Sequence, residues 1–234
     1  IRARGDRALT ASLGGEFEAI FVRAQDIPEF VADGAADAGI TGWDLVCESE
    51  RDLDVRLDLG FGSCRLVVAS REESGIEQLD QIITERVATV FPRVTRRFFE
   101  NRGCRVEIVP VSGAAEIAPH LGIADIVVDL TSTGSTLKVN GLREIATVLE
   151  STARLVARVA GTDHLDPGKR RALDDLADAL SSVLRARGQR YVMANVPRAA
   201  LDRVKEVLPG LNGPTVIDIL NGGHHVAVHA DRKS

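Results

Sequence analysis

Apolar and polar residues follow two alternating periods along the chain. Short apolar runs of strand length, at 86–90, 105–111 and 123–129, are separated by stretches with helical spacing of apolar residues, at 94–101 and 114–120. Strands that alternate with helices in this way are typical of parallel sheets built from right-handed crossovers. The pattern therefore predicts an α/β fold with parallel-rich sheets.

A similar block lies nearer the start of the chain. Its predicted elements are strands at 17–22, 36–41, 54–59 and 64–69 and helices that begin at Asp26 and Gly42. Extended stretches between 142 and 159 are expected to return the chain to this first block. The two blocks predict twin lobes with a cleft between them, lobe I comprising residues 1–71 and 152–161 and lobe II residues 72–151.

The last part of the chain shows a different pattern. A linker-like segment at 160–168 precedes a predicted separate domain at 168–234. This domain is predicted to contain a long helix at 169–187, a strand at 190–196, a helix at 199–207 and strands at 215–219 and 226–229. That order is βαββ after an entry helix, so we expect a truncated βαββαβ domain whose closing αβ pair would lie beyond Ser234.

Composition excludes several classes of protein. The net charge of −5 and the absence of a basic tract argue against nucleic acid as a partner. Three widely spaced cysteines, Cys47, Cys64 and Cys104, have no C-x-x-C pair, which favours a reducing compartment and argues against a zinc site. No apolar run is long enough to cross a membrane, and no signal peptide is visible.

The strongest chemical signal is the segment Ala124–Thr136. Asp125 and Asp129 are four residues apart in a predicted strand, so they are expected to share one face at its carboxyl end, where open α/β sheets bind ligands. The loop that follows is rich in small hydroxyl residues and is predicted to bind an anion through its backbone N–H groups. The loop residues are Thr131, Ser132, Thr133, Gly134, Ser135 and Thr136.

Carboxylates beside an anion-binding loop suit a phosphorylated sugar, since the acids can bind hydroxyl groups and the loop a phosphate. The simpler interpretation is a strand, a polar turn and a helix with Ser132 or Thr133 as its N-cap. No G-x-x-x-x-G-K-[ST] pattern is present, so an ordinary nucleoside-triphosphate hydrolase is not expected.

Across nearly its whole length the chain resembles the ATP phosphoribosyltransferase family, in its long, self-regulated form. The motifs that carry the resemblance are Phe21–Pro28, Gly39–Val46, Leu59–Leu66, Arg86–Pro92, Gly113–Pro119, Ala124–Leu137, Asn140–Leu142 and Leu208–Thr215. Each motif is weak alone, and their order and spacing together are specific. The family normally begins with a strand and a K-G-R-type loop, and this chain starts after them.

The resemblance implies two periplasmic-binding-protein-like lobes, a C-terminal ferredoxin-like regulatory domain and a cytoplasmic location. The implied reaction is attack by N1 of the ATP adenine on the anomeric carbon of phosphoribosyl pyrophosphate, with loss of pyrophosphate, as the first step of histidine biosynthesis. It further implies dependence on Mg²⁺, inhibition by histidine and a homo-oligomer between a dimer and a hexamer.

The resemblance also implies roles for individual residues. Asp125 and Asp129 would bind the ribose hydroxyls, and Glu116 would contact ribose or magnesium or only face a helix dipole. ATP and pyrophosphate contacts are implied for Arg23, Asp26, Gly42, Gly62, Arg65, Phe91 and Pro92. An effector site is implied at Asn195, Leu211, Gly213 and Thr215.

Several of these residues have simpler interpretations. Asp26 could serve only as a helix N-cap, Arg65 could be a solvated strand arginine, and the two glycines could serve turns. Phe91 stands where the family often has tyrosine, which would keep a stacking face without a hydroxyl.

Two other functions remain open from the sequence. One is an intracellular two-lobed sensor that binds a small ligand without catalysis. The other is a catalytically silent regulatory paralogue, which we would expect to have lost the aspartates or Gly134, and all of these are intact.

Overall fold

A computed structural model of the chain describes residues 9–159, 166–187, 189–207, 215–218 and 224–233. A β-hairpin comes first, formed by β1 (Thr10–Leu13) and β2 (Phe17–Ile20). Among the described residues, no helix is long and apolar enough to cross a membrane.

The next elements form a three-stranded sheet. Its strands are β3 (Ala38–Gly42), β4 (Leu53–Asp58) and β10 (Ala153–Arg158), and β10 lies in the middle, antiparallel to both neighbours. Helix α1 (Ile27–Ala32) packs so closely on β3 that a Cβ at Gly39 would clash with Ile27. Helix α2 (Trp43–Ser49) follows β3 directly.

A five-stranded sheet forms the larger part of the first compact unit. Its strands are β5 (Cys64–Arg71), β6 (Arg86–Thr89), β7 (Glu107–Pro110), β8 (Ile126–Thr131) and β9 (Leu142–Ser151), in the order β7-β6-β8-β5-β9. Two helices belong to this sheet, α3 (Pro92–Glu100) and α4 (Ser135–Val139).

Both faces of the five-stranded sheet are covered, because alternate side chains of each strand point to opposite faces. On one face, Leu66, Val68, Ile126 and Val128 pack with the phenylalanines of α3. On the other face, Val67, Ala69 and Val127 pack with Ala115, Leu137 and Leu142. The strands therefore read as continuous apolar runs rather than alternating ones.

The structure confirms the α/β class and corrects two details of it. Parallel pairing is confined to β7, β6 and β8, whereas β5 pairs antiparallel with β8 and β9. The predicted first lobe extended to residue 71, but β5 belongs to the larger sheet, so the chain crosses between the sheets near 59–63. It crosses back between Ser151 and Ala153, and the two crossings are joined by hydrogen bonds of 2.9 Å from Leu59 N to Ala153 O and from Ala153 N to Phe61 O.

Two predicted elements near the candidate site also differ. The helix expected at 114–120 is a single 3₁₀ turn at Ala115–Ile117, preceded by Ala114 in the left-handed region with φ 49°. The strand expected at 123–129 begins only at Ile126, so Asp125 precedes it. The Asp125 backbone N–H instead bonds to Arg86 O at 2.9 Å, where the chain enters the sheet.

The chain divides into two compact units between Ala177 and Asp178, inside helix α5 (Pro167–Ala186) rather than at the predicted boundary of 168. The second unit contains β11 (Gln189–Pro197), α6 (Leu201–Val207), β12 (Thr215–Asp218) and β13 (His225–Lys233). These strands form an antiparallel sheet in the order β11-β13-β12. The βαββ order matches the expected ferredoxin-like arrangement.

Candidate active site

Asp129 lies at the carboxyl end of β8, directly opposite Val67 of β5, and is half-buried. Its carboxylate accepts a hydrogen bond of 2.8 Å from the Leu130 backbone N–H. Burial raises the pKa of Asp129 above the ordinary aspartate value, the Leu130 N–H partly opposes this, and the negative charge of Glu116 raises it further. A carboxyl group with a raised pKa near the carboxyl end of a central strand is a candidate functional group.

Glu116 comes from the 3₁₀ turn that packs on the same face of the sheet. The turn is anchored by Ala115, which is fully buried against Val67, Val127 and Leu137. This packing explains why Glu116 and Asp129 influence each other although they are distant along the chain. Two carboxylates on the same face of a sheet repel each other unless a cation or hydroxyl groups lie between them.

The loop after β8 is stabilised by a hydrogen bond from one of its own side chains. Thr131 is buried, and its Oγ1 accepts a hydrogen bond of 2.8 Å from the Gly134 N–H. Gly134 has φ 75°, a conformation that favours glycine. Within the described residues, the backbone N–H groups of Ser132, Thr133 and Thr136 have no protein acceptor. The loop therefore presents several N–H donors to a ligand.

The N-cap interpretation of this loop is wrong. The N-cap of α4 is Gly134, and no side chain makes a capping bond there. The Thr133 and Ser135 hydroxyls instead bond to each other at 2.9 Å. Because α4 has only five residues, its dipole adds little, and any anion would depend on the loop N–H groups and hydroxyls.

Asp125 does not share this site. Its carboxylate forms an ion pair with Arg86, at 2.9 Å from Nη2 to Oδ1, and accepts the Arg86 backbone N–H at 2.9 Å. These bonds from Arg86 hold the pKa of Asp125 below the ordinary aspartate value. Arg86 is the first residue of β6, which runs parallel to β8, so Asp125 lies at the amino end of these strands. The prediction that both aspartates serve one site is not supported by these contacts, because Asp125 lies at the amino end of the strands and its carboxylate is already bound by Arg86.

A cavity of about 520 Å³ lies at this amino end, and it does not include Asp129 or the loop. Its lining includes Arg71, Glu85 and Asp125. The carboxyl end of the sheet carries the chemistry suggested by the sequence, so we place the candidate site there despite this cavity.

The predicted first-lobe residues lie near the carboxyl end of β3. The Thr41 hydroxyl donates to Ala24 O at 2.8 Å and so fixes the segment that carries Arg23 and Asp26 beside this strand end. Arg23 is exposed, and Asp26 stands at the start of α1 without making a side-chain capping bond. The capping interpretation of Asp26 is therefore not supported by its side-chain contacts.

Gly42 precedes α2, and its lack of a side chain has a local cause. A Cβ at this position would clash with the Asp44 carboxylate. Asp44 is buried and bonds to the Ser151 hydroxyl, which in turn accepts the Asp44 N–H at 3.0 Å. Gly42 thus allows a buried polar contact at the point where β9 leads into β10.

The remaining residues that were predicted to contact ATP or pyrophosphate differ in whether their side chains are free to bind a ligand. The Arg65 guanidinium pairs with Glu144 and lies 3.2 Å from the Thr147 hydroxyl, so it is already engaged on the sheet. Gly62 is exposed with φ 66° in the crossing between β4 and β5. Phe91 is only 4% exposed and belongs to the core, so the expected stacking face is wrong. Pro92 is the first residue of α3.

In the second unit, Asn195 and Thr215 are exposed on β11 and β12. They lie on either side of β13, opposite Ala227 and His229 respectively. Leu211 and Gly213 lie outside the described residues.

Sequence reasoning missed a contact between α2 and α3. Glu48 of α2 accepts hydrogen bonds from the first turn of α3, and Arg93 of α3 donates to the last turn of α2. The only signal was the acidic end of α2 and an arginine directly after Pro92.

Comparison with known proteins gives a consistent result over both units. A family model described as ATP phosphoribosyltransferase matches residues 23–182, and one described as the HisG C-terminal domain matches residues 186–231. An ATP phosphoribosyltransferase of Gemmatimonas aurantiaca is 69% identical over 234 residues, covering 98% of this chain and 80% of that protein. The corresponding protein of Natronomonas pharaonis is 50% identical, covering 96% and 78%.

Solved structures extend the comparison to the fold. A chain of the ATP phosphoribosyl transferase (HisG:HisZ) complex from Thermotoga maritima matches with a TM-score of 0.64 and 29% identity. The match covers 74% of this chain and 82% of that one.

Proposed function

This chain belongs to the ATP phosphoribosyltransferase family, the enzymes of the first step of histidine biosynthesis, and we propose that it holds the phosphoribosyl group at Asp129 and the 131–136 loop. The reaction joins N1 of the ATP adenine to the anomeric carbon of phosphoribosyl pyrophosphate and releases pyrophosphate. Adenine N1 carries a free lone pair, so the enzyme has little covalent chemistry to perform. Its task is to position the substrates and to stabilise the charges that develop.

The loop is proposed to bind the 5′-phosphate. Among the described residues, the N–H groups of Ser132, Thr133 and Thr136 lack protein acceptors, and the Thr133 and Ser135 hydroxyls lie beside them. Thr131 stabilises the loop, because its Oγ1 accepts a hydrogen bond from the Gly134 N–H. A phosphate takes several hydrogen bonds at once, and such a loop supplies them without a dedicated basic side chain.

Asp129 is proposed to bind the ribose hydroxyls in its ionised form. Loss of pyrophosphate builds positive charge on the ribose ring, and a half-buried carboxylate stabilises that charge more strongly than an exposed one would. Glu116 belongs to the 3₁₀ turn whose Ala115 packs on the same face of the sheet as Asp129, so it is proposed to contact the same ribose. The single observation that carries this assignment is the juxtaposition of Asp129, Glu116 and the open loop on one face of the sheet.

ATP is proposed to approach from the first lobe. Arg23 is exposed beside the carboxyl end of β3, where it can meet a phosphate of ATP or the leaving pyrophosphate, with Gly42 and Asp26 nearby. Pro92 and Gly62 remain candidate backbone contacts. Arg65 would have to leave Glu144 to take part, and the buried ring of Phe91 is not proposed as a contact.

Magnesium is proposed to arrive with the substrates. No group of three or more His, Cys, Asp or Glu side chains in the described part of the chain could hold a metal ion by itself. Mg²⁺ keeps several waters and is often bound by one or two carboxylates together with substrate phosphates, which fits the pair Asp129 and Glu116. When bound, the ion would neutralise the leaving pyrophosphate.

The second unit is proposed to bind histidine as a feedback inhibitor, with Asn195 and Thr215 near that site. Inhibition would require histidine to bind one arrangement of the assembly better than another. A homo-oligomer between a dimer and a hexamer and a cytoplasmic location are proposed on the same family grounds.

The direct test is formation of phosphoribosyl-ATP by the purified full-length protein, with and without histidine and with Mg²⁺ removed by a chelator. We expect product only with both substrates and Mg²⁺, and less product with histidine. A protein that bound both substrates without forming product would instead fit the non-catalytic sensor. Normal turnover by Asp129→Asn would remove the assigned role of the carboxylate.

A further inference from the structure

Helices α2 and α3 cap each other, although they belong to different sheets. The Glu48 carboxylate, near the end of α2, accepts the backbone N–H groups of Arg93 at 3.0 and 3.2 Å and of Val94 at 3.0 Å. In return, Arg93 Nη1 donates to the backbone carbonyls of Glu48 and Ser49, both at 3.1 Å. Each side chain satisfies backbone groups that the end of the other helix leaves unpaired.

The direction of the contact suits both helix ends. The start of a helix carries partial positive charge and favours a carboxylate, whereas its end carries partial negative charge and favours a guanidinium. Glu50 also forms an ion pair with Arg93, with 3.7 Å between Glu50 Oε2 and Arg93 Nε. If the two side chains were exchanged, the carboxylate would lie at the end of one helix and the guanidinium at the start of the other, where each charge is unfavourable. A simple ion pair between side chains has no such preferred direction.

This reciprocal cap, defined by Glu48 and Arg93, joins the two halves of the proposed site. Helix α2 starts directly after Gly42, at the edge assigned to ATP. Helix α3 starts at Pro92, at the end of the β6 segment, and β6 lies beside β8, which carries Asp129. A contact that fixes α2 on α3 therefore fixes the position of the proposed ATP-binding residues beside β3 relative to Asp129 on β8.

We propose that Glu48 and Arg93 are positioning residues that hold the ATP edge of the first lobe at the distance from Asp129 that the reaction requires. This inference rests on the proposed division of the substrates between the lobes. In the proposed site, Asp129 and the 131–136 loop of the larger sheet bind the phosphoribosyl part of phosphoribosyl pyrophosphate, so binding of this substrate depends much less on the reciprocal cap than the use of ATP does. Use of ATP depends on both lobes and therefore on the cap.

The test compares Glu48→Ala, Arg93→Ala and the double variant with the wild-type protein. We expect the dissociation constant for phosphoribosyl pyrophosphate alone, measured by calorimetry, to change by no more than about twofold, while kcat/KM for ATP falls about tenfold or more. The kcat/KM for ATP of the double variant should be only slightly below that of the less active single variant, because either substitution breaks the same contact. Glu48→Gln, which keeps an acceptor oxygen, should retain intermediate activity.

Glu29→Ala is the matched control, since Glu29 forms an exposed ion pair with Arg51 within the first lobe. It should leave kcat/KM for ATP unchanged. Trp43, the single tryptophan of the sequence and the first residue of α2, gives a second readout, because Arg154 lies 4.7 Å from its ring. Its fluorescence emission should shift in Glu48→Ala and not in Glu29→Ala.

Three results would overturn the inference. One is a lower melting temperature with unchanged kcat/KM for ATP, which would make the cap a stabilising contact only. Another is an equal loss of phosphoribosyl pyrophosphate binding and ATP use, and the third is an unshifted Trp43 emission. Failure of the proposed site itself would be distinguished by normal turnover of Asp129→Asn, which does not involve the cap.

Discussion

Asp129 has a raised pKa because it is buried, and the negative charge of Glu116 raises this pKa further, while the Leu130 backbone N–H opposes both effects. The first residue lies near the end of a strand and the second in a 3₁₀ turn packed on the same face. A protein that places two carboxylates together in this way accepts a cost in stability, because neither has a basic partner among the described residues. Such a cost is expected where the charges act on a substrate.

Asp129→Asn should reduce turnover by about 10²–10³-fold, because the variant removes a charge aimed at the developing positive charge on the ribose. Asp125→Asn is the matched control, with the same change four residues away at the opposite end of the strands. That variant should keep turnover within about twofold and lose only a little stability, because the ion pair with Arg86 is partly exposed to solvent. Steady-state assays of both variants check the assignment, and equal losses in the two would contradict it.

The same pair of variants predicts an effect on stability with a definite pH dependence. A raised folded-state pKa means that the folded protein holds its proton on Asp129 at a pH where the unfolded chain has released it. The favourable contribution is therefore fully present below the ordinary aspartate pKa of about 3.9 and is lost as the pH rises through the folded value. Asp129→Asn should unfold at a higher temperature than the wild type at neutral pH.

This difference in melting temperature should shrink as the pH falls toward the ordinary aspartate pKa. For Asp125 the sign is opposite, because Arg86 lowers its folded-state pKa. Its contribution is present above the ordinary pKa and is lost as the pH falls through the folded value. A lower melting temperature for Asp129→Asn at neutral pH would show that the carboxylate is better solvated or paired than its surroundings indicate.

Periodicity predicted much of this architecture and could not predict other parts of it. Periodicity alone predicts β6, β8 and α3, because buried strands and amphipathic helices have distinct patterns of apolar residues. The partner of β5 could not be predicted, since a strand buried on both faces fits the centre of either sheet. The predicted boundary at residue 71 was therefore wrong by one strand.

The site shows a similar limit. The period of two gives the face of a strand on which a residue lies, but neither its distance along the strand nor its ion-pair partner, and so it does not show that Arg86 binds Asp125 at the end opposite Asp129. The burial of Phe91 and the reciprocal cap of Glu48 and Arg93 depend on tertiary packing that no local pattern encodes. The anion-binding role of the loop stays a prediction, which its run of small hydroxyl residues around Gly134 favours and which the N–H groups without a protein acceptor among the described residues are consistent with.

Thr131→Val should weaken binding of phosphoribosyl pyrophosphate. The substitution keeps the shape of the buried side chain but removes the oxygen that accepts the Gly134 N–H. The part-buried Gly134 N–H would lose its acceptor, so the loop should move and KM for phosphoribosyl pyrophosphate should rise about tenfold, with a smaller change in KM for ATP. Thr131→Ser keeps the hydroxyl and should remain close to the wild type. Equal KM values for the Val and Ser variants would show that this bond does not organise the loop.

Gly42→Ala should destabilise the protein through its neighbour Asp44 rather than through its own backbone. The φ of Gly42 is −69°, which any residue adopts, so alanine meets no conformational strain there. Its Cβ would clash with the buried Asp44 carboxylate and displace it from the Ser151 hydroxyl, at the crossing between β9 and β10. Disrupting a buried hydrogen-bonded carboxylate costs about 1–3 kcal/mol.

A chemical denaturation series would measure this cost, with Gly113→Ala as the control. A Cβ added at Gly113 would meet no atom within 4 Å, and the φ of this residue is not positive, so its replacement should leave stability nearly unchanged. In the double variant Gly42→Ala/Ser151→Ala, the second change should add little, because the first has already broken the bond to Asp44. Full additivity of the two losses would show that Asp44 keeps its partner when alanine is present and that the clash is relieved elsewhere.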